Sequence, residues 1–167
     1  MKFYSLILFI CLIIIQNSCY CQAKFEPAYG AYPGAIVALD AGFNYSVTTF
    51  EQMTNKKHSI YFSYTGWGQP FPNDWVLDYA SKNSIVQIAF EPNGGLDEVM
   101  DGEYIREWAK NARRSGAMIL LRWASEMNGD WVAWYGDPEK YKQKFKLIHE
   151  IEIYFRWPRR QRPSVHP

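Results

Sequence analysis

The sequence predicts an α/β fold built on a parallel sheet. Three observations carry that expectation: four strand-like runs each followed by a helical pattern, strands that read as continuous apolar stretches, and polar or glycine-rich punctuation at each strand's end. A strand buried on both faces has no polar side to show, and a parallel neighbour requires a helix to carry the chain back.

The first strand is Ala35 to Leu39 in GAIVALDAG, closing at Asp40 and a glycine. SVTTFEQMTNK follows as a helix capped by Ser46, with Val47, Phe50 and Met53 on one face. A second strand covers Ser59 to Tyr64 and ends in TGWG, which offers Trp67; the next helix starts near Pro72 or Asn73. The third strand, Ile85 to Phe90, stops at Glu91, Pro92 and a glycine pair. DGEYIREWAKNARRSG is the clearest helix: Asp101 is its expected cap, Tyr104, Ile105, Trp108, Ala109 and Ala112 share a face, and Gly116 ends it. AMILLRWASE is the fourth strand. In DPEKYKQKFKLIHEI the fourth helix takes Asp137 as cap and Pro138 as first residue, with Tyr141, Phe145 and Ile148 inward. Trp75, Trp108 and Trp123 read as core.

The opening MKFYSLILFICLIIIQNSCYC carries one charge, Lys2, before an apolar run of ten residues, Leu6 to Ile15. A membrane span needs roughly 20, so residues 1–21 read as a signal peptide and the protein as secreted, with no membrane contact after removal. The alternative is lipid anchoring at Cys19. All three cysteines, Cys11, Cys19 and Cys21, lie in this leader, which leaves the domain at 22–155 to hold by packing. The stretch 156–167 is basic and Pro-rich, and reads as a disordered terminus or as sequence read past an exon boundary or frameshift. Without Lys2 and the arginines 156, 159, 160 and 162 the net charge of +1 becomes acidic, which argues against nucleic acid as partner.

In a parallel sheet ligands meet the C-terminal ends of strands. Those ends collect Asp40, Trp67, Glu91 and, in RWASEMNGDWVAWYG, Arg122, Ser125, Glu126, Asn128, Trp131, Trp134 and Tyr135. The chain has no G-x-G-x-x-G, no G-x-x-x-x-G-K-[ST] and no H-E-x-x-H. Its histidines, His58, His149 and His166, are scattered, so neither a metal nor another cofactor is expected. Ser125 lacks the G-x-S-x-G setting of a hydrolase nucleophile. Carboxylates beside tryptophans suit sugars: a raised-pKa acid protonates the departing glycosidic oxygen, while pyranose C–H faces stack on indoles and amides bond hydroxyls. Trp131 and Trp134 are both expected to border Glu126. A strand-end glutamate on its own is more often a salt-bridge residue; the joint occurrence around one strand end is what favours sugar chemistry.

ILLRWASEMNGDWVAWYGDPEKYKQKFKLIH resembles the signature region of glycoside hydrolase family 26, the β-mannanase family, and AFEPNGGLDEVMDGEYIREWAKNARRSGAMI is similar to the stretch before it. The resemblance covers roughly residues 84–149. It implies a (β/α)8 TIM-type barrel, of which this chain would hold about the first four βα units. It also implies retaining, endo-acting hydrolysis of β-linked polysaccharide, mannan above all. By position Glu126 matches the proton donor, Trp131 an aromatic stacked near the scissile sugar and Arg122 the arginine expected to orient carboxylates; Ser125, Asn128, Glu91, Trp67 and Tyr135 are the further substrate-binding candidates. Ser125 stands where the family usually has His. The family's nucleophile comes from a late strand, about the seventh, so this chain is expected to lack it, to have little activity, and to expose a sheet edge prone to self-association. The alternative expectation is a non-catalytic secreted carbohydrate-binding protein.

Overall fold

The computed structural model describes residues 30–37 and 41–156. The leader, Leu39, Asp40, His166 and the tail beyond Arg156 lie outside the described residues. The chain divides after Ala31, and the account below concerns the part from Tyr32 onward.

The elements alternate as expected: β1 (Gly34–Ala35), α1 (Val47–Thr54), β2 (Ile60–Gly66), α2 (Asn73–Ser81), β3 (Ile85–Glu91), α3 (Glu103–Arg114), β4 (Ile119–Trp123) and α4 (Pro138–Arg156), with 3-10 turns at Ala41–Phe43 and Leu96–Glu98. All pairings are parallel and the strand order is β1-β2-β3-β4. The fold is therefore an α/β one, with a four-stranded parallel sheet and four helices among the described residues. Among the described residues the first strand pairs at Gly34 and Ala35, opposite Ile60 and Tyr61, and Ile36 and Val37 of the expected run lie outside it.

The register separates two faces. Tyr61 of β2, Val86, Ile88 and Phe90 of β3 and Trp123 of β4 pack against Val47, Val76, Tyr79, Ile105, Trp108, Ile148 and Ile151 of the four helices in a single core. Aromatic rings fill much of it. Phe90 stacks on Trp108 with centroids 4.6 Å apart, and Trp108 meets Phe71 edge-on at 4.9 Å. The other parity of the strands carries Phe62, Tyr64, Gln87, Leu120 and Arg122, which border a shallow hollow of about 320 Å³ with Gly34 and Ile60, except that Leu120 lies outside it. Tyr64 and Leu120 are 45% and 41% exposed. No described helix covers this face.

Two of the three caps expected from the sequence form and one does not. Ser46 accepts from the Thr49 N–H at 3.3 Å and Asn55 closes α1 in the left-handed region, φ 50°. Asp137 accepts from the Lys140 N–H at 2.9 Å, ahead of Pro138. Asp101 does not cap α3: Gly102 holds the cap position with no side-chain bond. Instead Asp101 takes both bonds from the Arg106 guanidinium, at 2.7 and 2.6 Å, because a bidentate charged pair outbids one backbone N–H. Met53 and Phe145, expected inward, are 66% and 48% exposed. The first turn of α1 supplies its buried residue, Val47. Phe145 lies outward beside Tyr141, with centroids 6.3 Å apart. Helix α4 also runs on to Arg156, past the expected break near Ile151, carried by buried Ile148 and Ile151.

Candidate functional site

The site grows from the adjacent ends of β3 and β4. The Ala124 N–H donates to the Phe90 carbonyl at 3.0 Å, extending the ladder one residue beyond Trp123. The chain then turns sharply: Ala124 and Glu126 have φ of 41° and 57°, in the left-handed region that non-glycine residues enter at a cost of about 1–2 kcal/mol each. Such strain persists where surrounding contacts over-determine it. Here two side-chain donors serve the three carbonyls around the turn, one phenol proton being shared between two of them. The Tyr141 hydroxyl of α4 reaches those of Trp123 and Ala124 at 3.3 and 3.1 Å, and the Trp134 indole N–H donates to Ser125 at 2.7 Å. Burial pushes the Tyr141 phenol above its ordinary value, which keeps it a donor.

Within that turn the side chains part. Ser125 is buried, and its hydroxyl donates to Glu91 Oε1 at the end of β3. Glu126, next in sequence, stands exposed, and its Oε2 accepts the Trp131 indole N–H at 2.9 Å. Trp131 is 74% exposed, the most open large apolar side chain described. The Gly129 N–H donates to the Glu126 carbonyl at 2.8 Å, folding Trp131 back toward the acid.

Of the predicted site residues, the structure brings Glu126 together with Trp131, as expected, and Glu91 with Ser125, a contact the sequence did not announce, and it disperses the rest. Arg122 points to the open face of the sheet, its guanidinium 6.0 Å from the Phe62 ring centroid, and among the described residues no carboxylate pairs with it. The expectation that it orients the acids is corrected: strand parity turns it away from the helix side, and the turn at Ala124 carries Glu126 elsewhere. Trp67 is not a free rim aromatic. It stacks on Phe90 at 5.4 Å and meets Tyr104 and Trp123 edge-on at 5.1 and 6.0 Å, while its backbone N–H donates to the Glu91 carbonyl. Trp134, expected beside Glu126, is 5% exposed, since its indole N–H is spent on the Ser125 carbonyl. Asn128 and Tyr135 border a separate groove of about 800 Å³ with Met127, Pro138, Tyr141 and Lys142. Trp108 and Trp123 are core, as expected, and Trp75 packs at its margin.

Sequence reasoning missed the supports: Tyr141, Trp134 and Gly129. Tyr141 read as an ordinary inward residue of its helix and Trp134 as a rim aromatic beside the acid, and no local signal marks Ala124 or Glu126 for left-handed backbone. Among the described residues no group of three or more His, Cys, Asp and Glu could hold a metal ion, and no helix is long and apolar enough to cross a membrane. No protein-family model matches the chain, and no curated protein matches it.

Proposed function

We propose that this protein is a secreted β-polysaccharide-recognising protein of the mannanase-like glycoside hydrolase type, with Glu126 as proton donor and Trp131 as the ring on which a sugar lies. The observation that carries the reading is the pairing of a solvent-facing carboxylate with an indole exposed over 74% of its surface. An isolated exposed tryptophan gains nothing from water, whereas a pyranose laid on its face would bring a glycosidic oxygen within reach of the neighbouring acid. Glu126 would protonate the leaving oxygen and then activate water for the second step. The barrel-type architecture is part of the same proposal. It is supported by strands adjacent in chain order, by helices on one face, and by an opposite face carrying Phe62, Tyr64 and Leu120 where a barrel would place its interior.

Retaining hydrolysis needs a second carboxyl about 5 Å from the first. The other described carboxylate at this rim, Glu91, is engaged by Ser125 at the end of β3, so we assign it to support rather than to nucleophilic attack. That assignment favours a second reading, binding of polysaccharide without cleavage. The discriminating experiment measures reducing-sugar release from mannan, lichenan and xylan alongside affinity electrophoresis in gels holding the same polymers. Release that disappears in Glu126→Gln supports the hydrolase; retention without release supports the binding protein. Neither retention nor release, with a folded chain, would defeat both.

A further inference from the structure

We infer that Gly129 is a positioning residue whose missing side chain makes the seat for the Trp131 indole; this deepens, and rests on, the sugar-binding reading above. A Cβ built on Gly129 would lie 2.5 Å from both Cε2 and Cζ2 of Trp131 and 3.0 Å from Cδ2. Real Cβ atoms do not approach a ring so closely, and the indole cannot yield in place, because its N–H is directed at Glu126 Oε2.

The backbone gives no other reason for glycine. Five described glycines, at 30, 68, 95, 116 and 136, have positive φ, and Gly129 is not among them. A methyl group there adds no left-handed strain, and it leaves the Gly129 N–H bond to Glu126 available. Its collision is with one side chain alone. The buried glycine thus lets the six-membered half of the indole lie against the main chain with its N–H turned to the acid, while most of the ring remains open to a ligand. Ring and carboxylate are set together by an atom that is absent.

Gly129→Ala is the direct test, with Trp131→Ala as reference, in the full chain. Two readouts are taken. The indole N–H signals in a proton–nitrogen correlation spectrum identify Trp131 by its loss in Trp131→Ala, and affinity electrophoresis on mannan reports binding. The inference expects Gly129→Ala to displace the Trp131 signal and to leave that of Trp134, buried and bonded to the Ser125 carbonyl, in place. Mannan affinity should fall about tenfold, matching Trp131→Ala, with no further loss in the double variant. An unmoved Trp131 signal, or full retention in Gly129→Ala where Trp131→Ala has lost it, would overturn the inference and spare the proposed function. Unchanged retention in Trp131→Ala would overturn the proposed function instead, while the spectrum still judges the seat.

Discussion

Replacing Trp134 by Phe should weaken both the fold and the site, although the indole faces no ligand. The ring is 5% exposed and its N–H is bonded to the Ser125 carbonyl at 2.7 Å, inside the turn flanked by left-handed Ala124 and Glu126. Phenylalanine keeps the aromatic packing but strands that buried carbonyl without its donor, a cost of about 1–3 kcal/mol. The narrower ring leaves a small void worth about 1 kcal/mol more, so the expected loss is about 2–4 kcal/mol. With a urea slope of roughly 2 kcal/mol/M for a domain of this size, the midpoint should fall by roughly 1–2 M at unchanged slope. Circular dichroism in a urea series measures it. The freed turn can relax its strained residues, so mannan retention should also fall under conditions where the variant is fully folded. A midpoint shift below about 0.3 M would mean that the carbonyl finds water and the bond holds nothing. A full shift with unaltered retention would break the link between turn and site.

Other expectations follow from the same contacts. Ser46→Ala should cost about 1 kcal/mol by removing the cap on α1, and Asp101→Asn should cost less, since its partner Arg106 lies in solvent; paired denaturation curves compare them. Burial raises the phenols of Tyr61, Tyr79, Tyr104 and Tyr141, Tyr61 most, helped by its bond to Glu51 at 2.7 Å. A folded state that holds these protons more tightly keeps its full advantage below the ordinary tyrosine range near pH 10 and loses it as pH climbs toward the folded-state values. Denaturation midpoints at pH 8 and pH 11 should show a drop that shrinks in Tyr61→Phe. β4 pairs on one side only among the described residues, and Leu120 beside that edge is 41% exposed. Association rising with concentration in sedimentation, and reduced by Leu120→Lys, is the expected outcome; a concentration-independent monomer would refute it.

The helices and strands were legible because each carries its pattern within a dozen residues. Ser46 and Asp137 announce helix starts, the runs at 59–64, 85–90 and AMILLRWASE announce buried strands, and Trp108 falls on the apolar face of α3. Asp101 misled for an instructive reason: its local role as a cap competes with Arg106, five residues on, and the charged pair prevails. That Ile36 and Val37 fall outside β1 was hidden because an apolar run does not record which of its residues find a strand partner.

By itself, the sequence determined the order of elements, the face of α3 that meets the sheet, and the presence of an acid near indoles after the fourth strand. Only the tertiary structure decided which indole stands free, that Ser125 holds Glu91, and that Arg122 turns to the open face. Periodicity is a short-range property, whereas these directions are set where bonds from Trp134 and Tyr141 arrive on a strained turn from 9 to 18 residues away and Glu91 meets Ser125 across 34. A side chain at the end of a strand leaves the alternation that governed it, and its aim then depends on whatever the fold packs behind it.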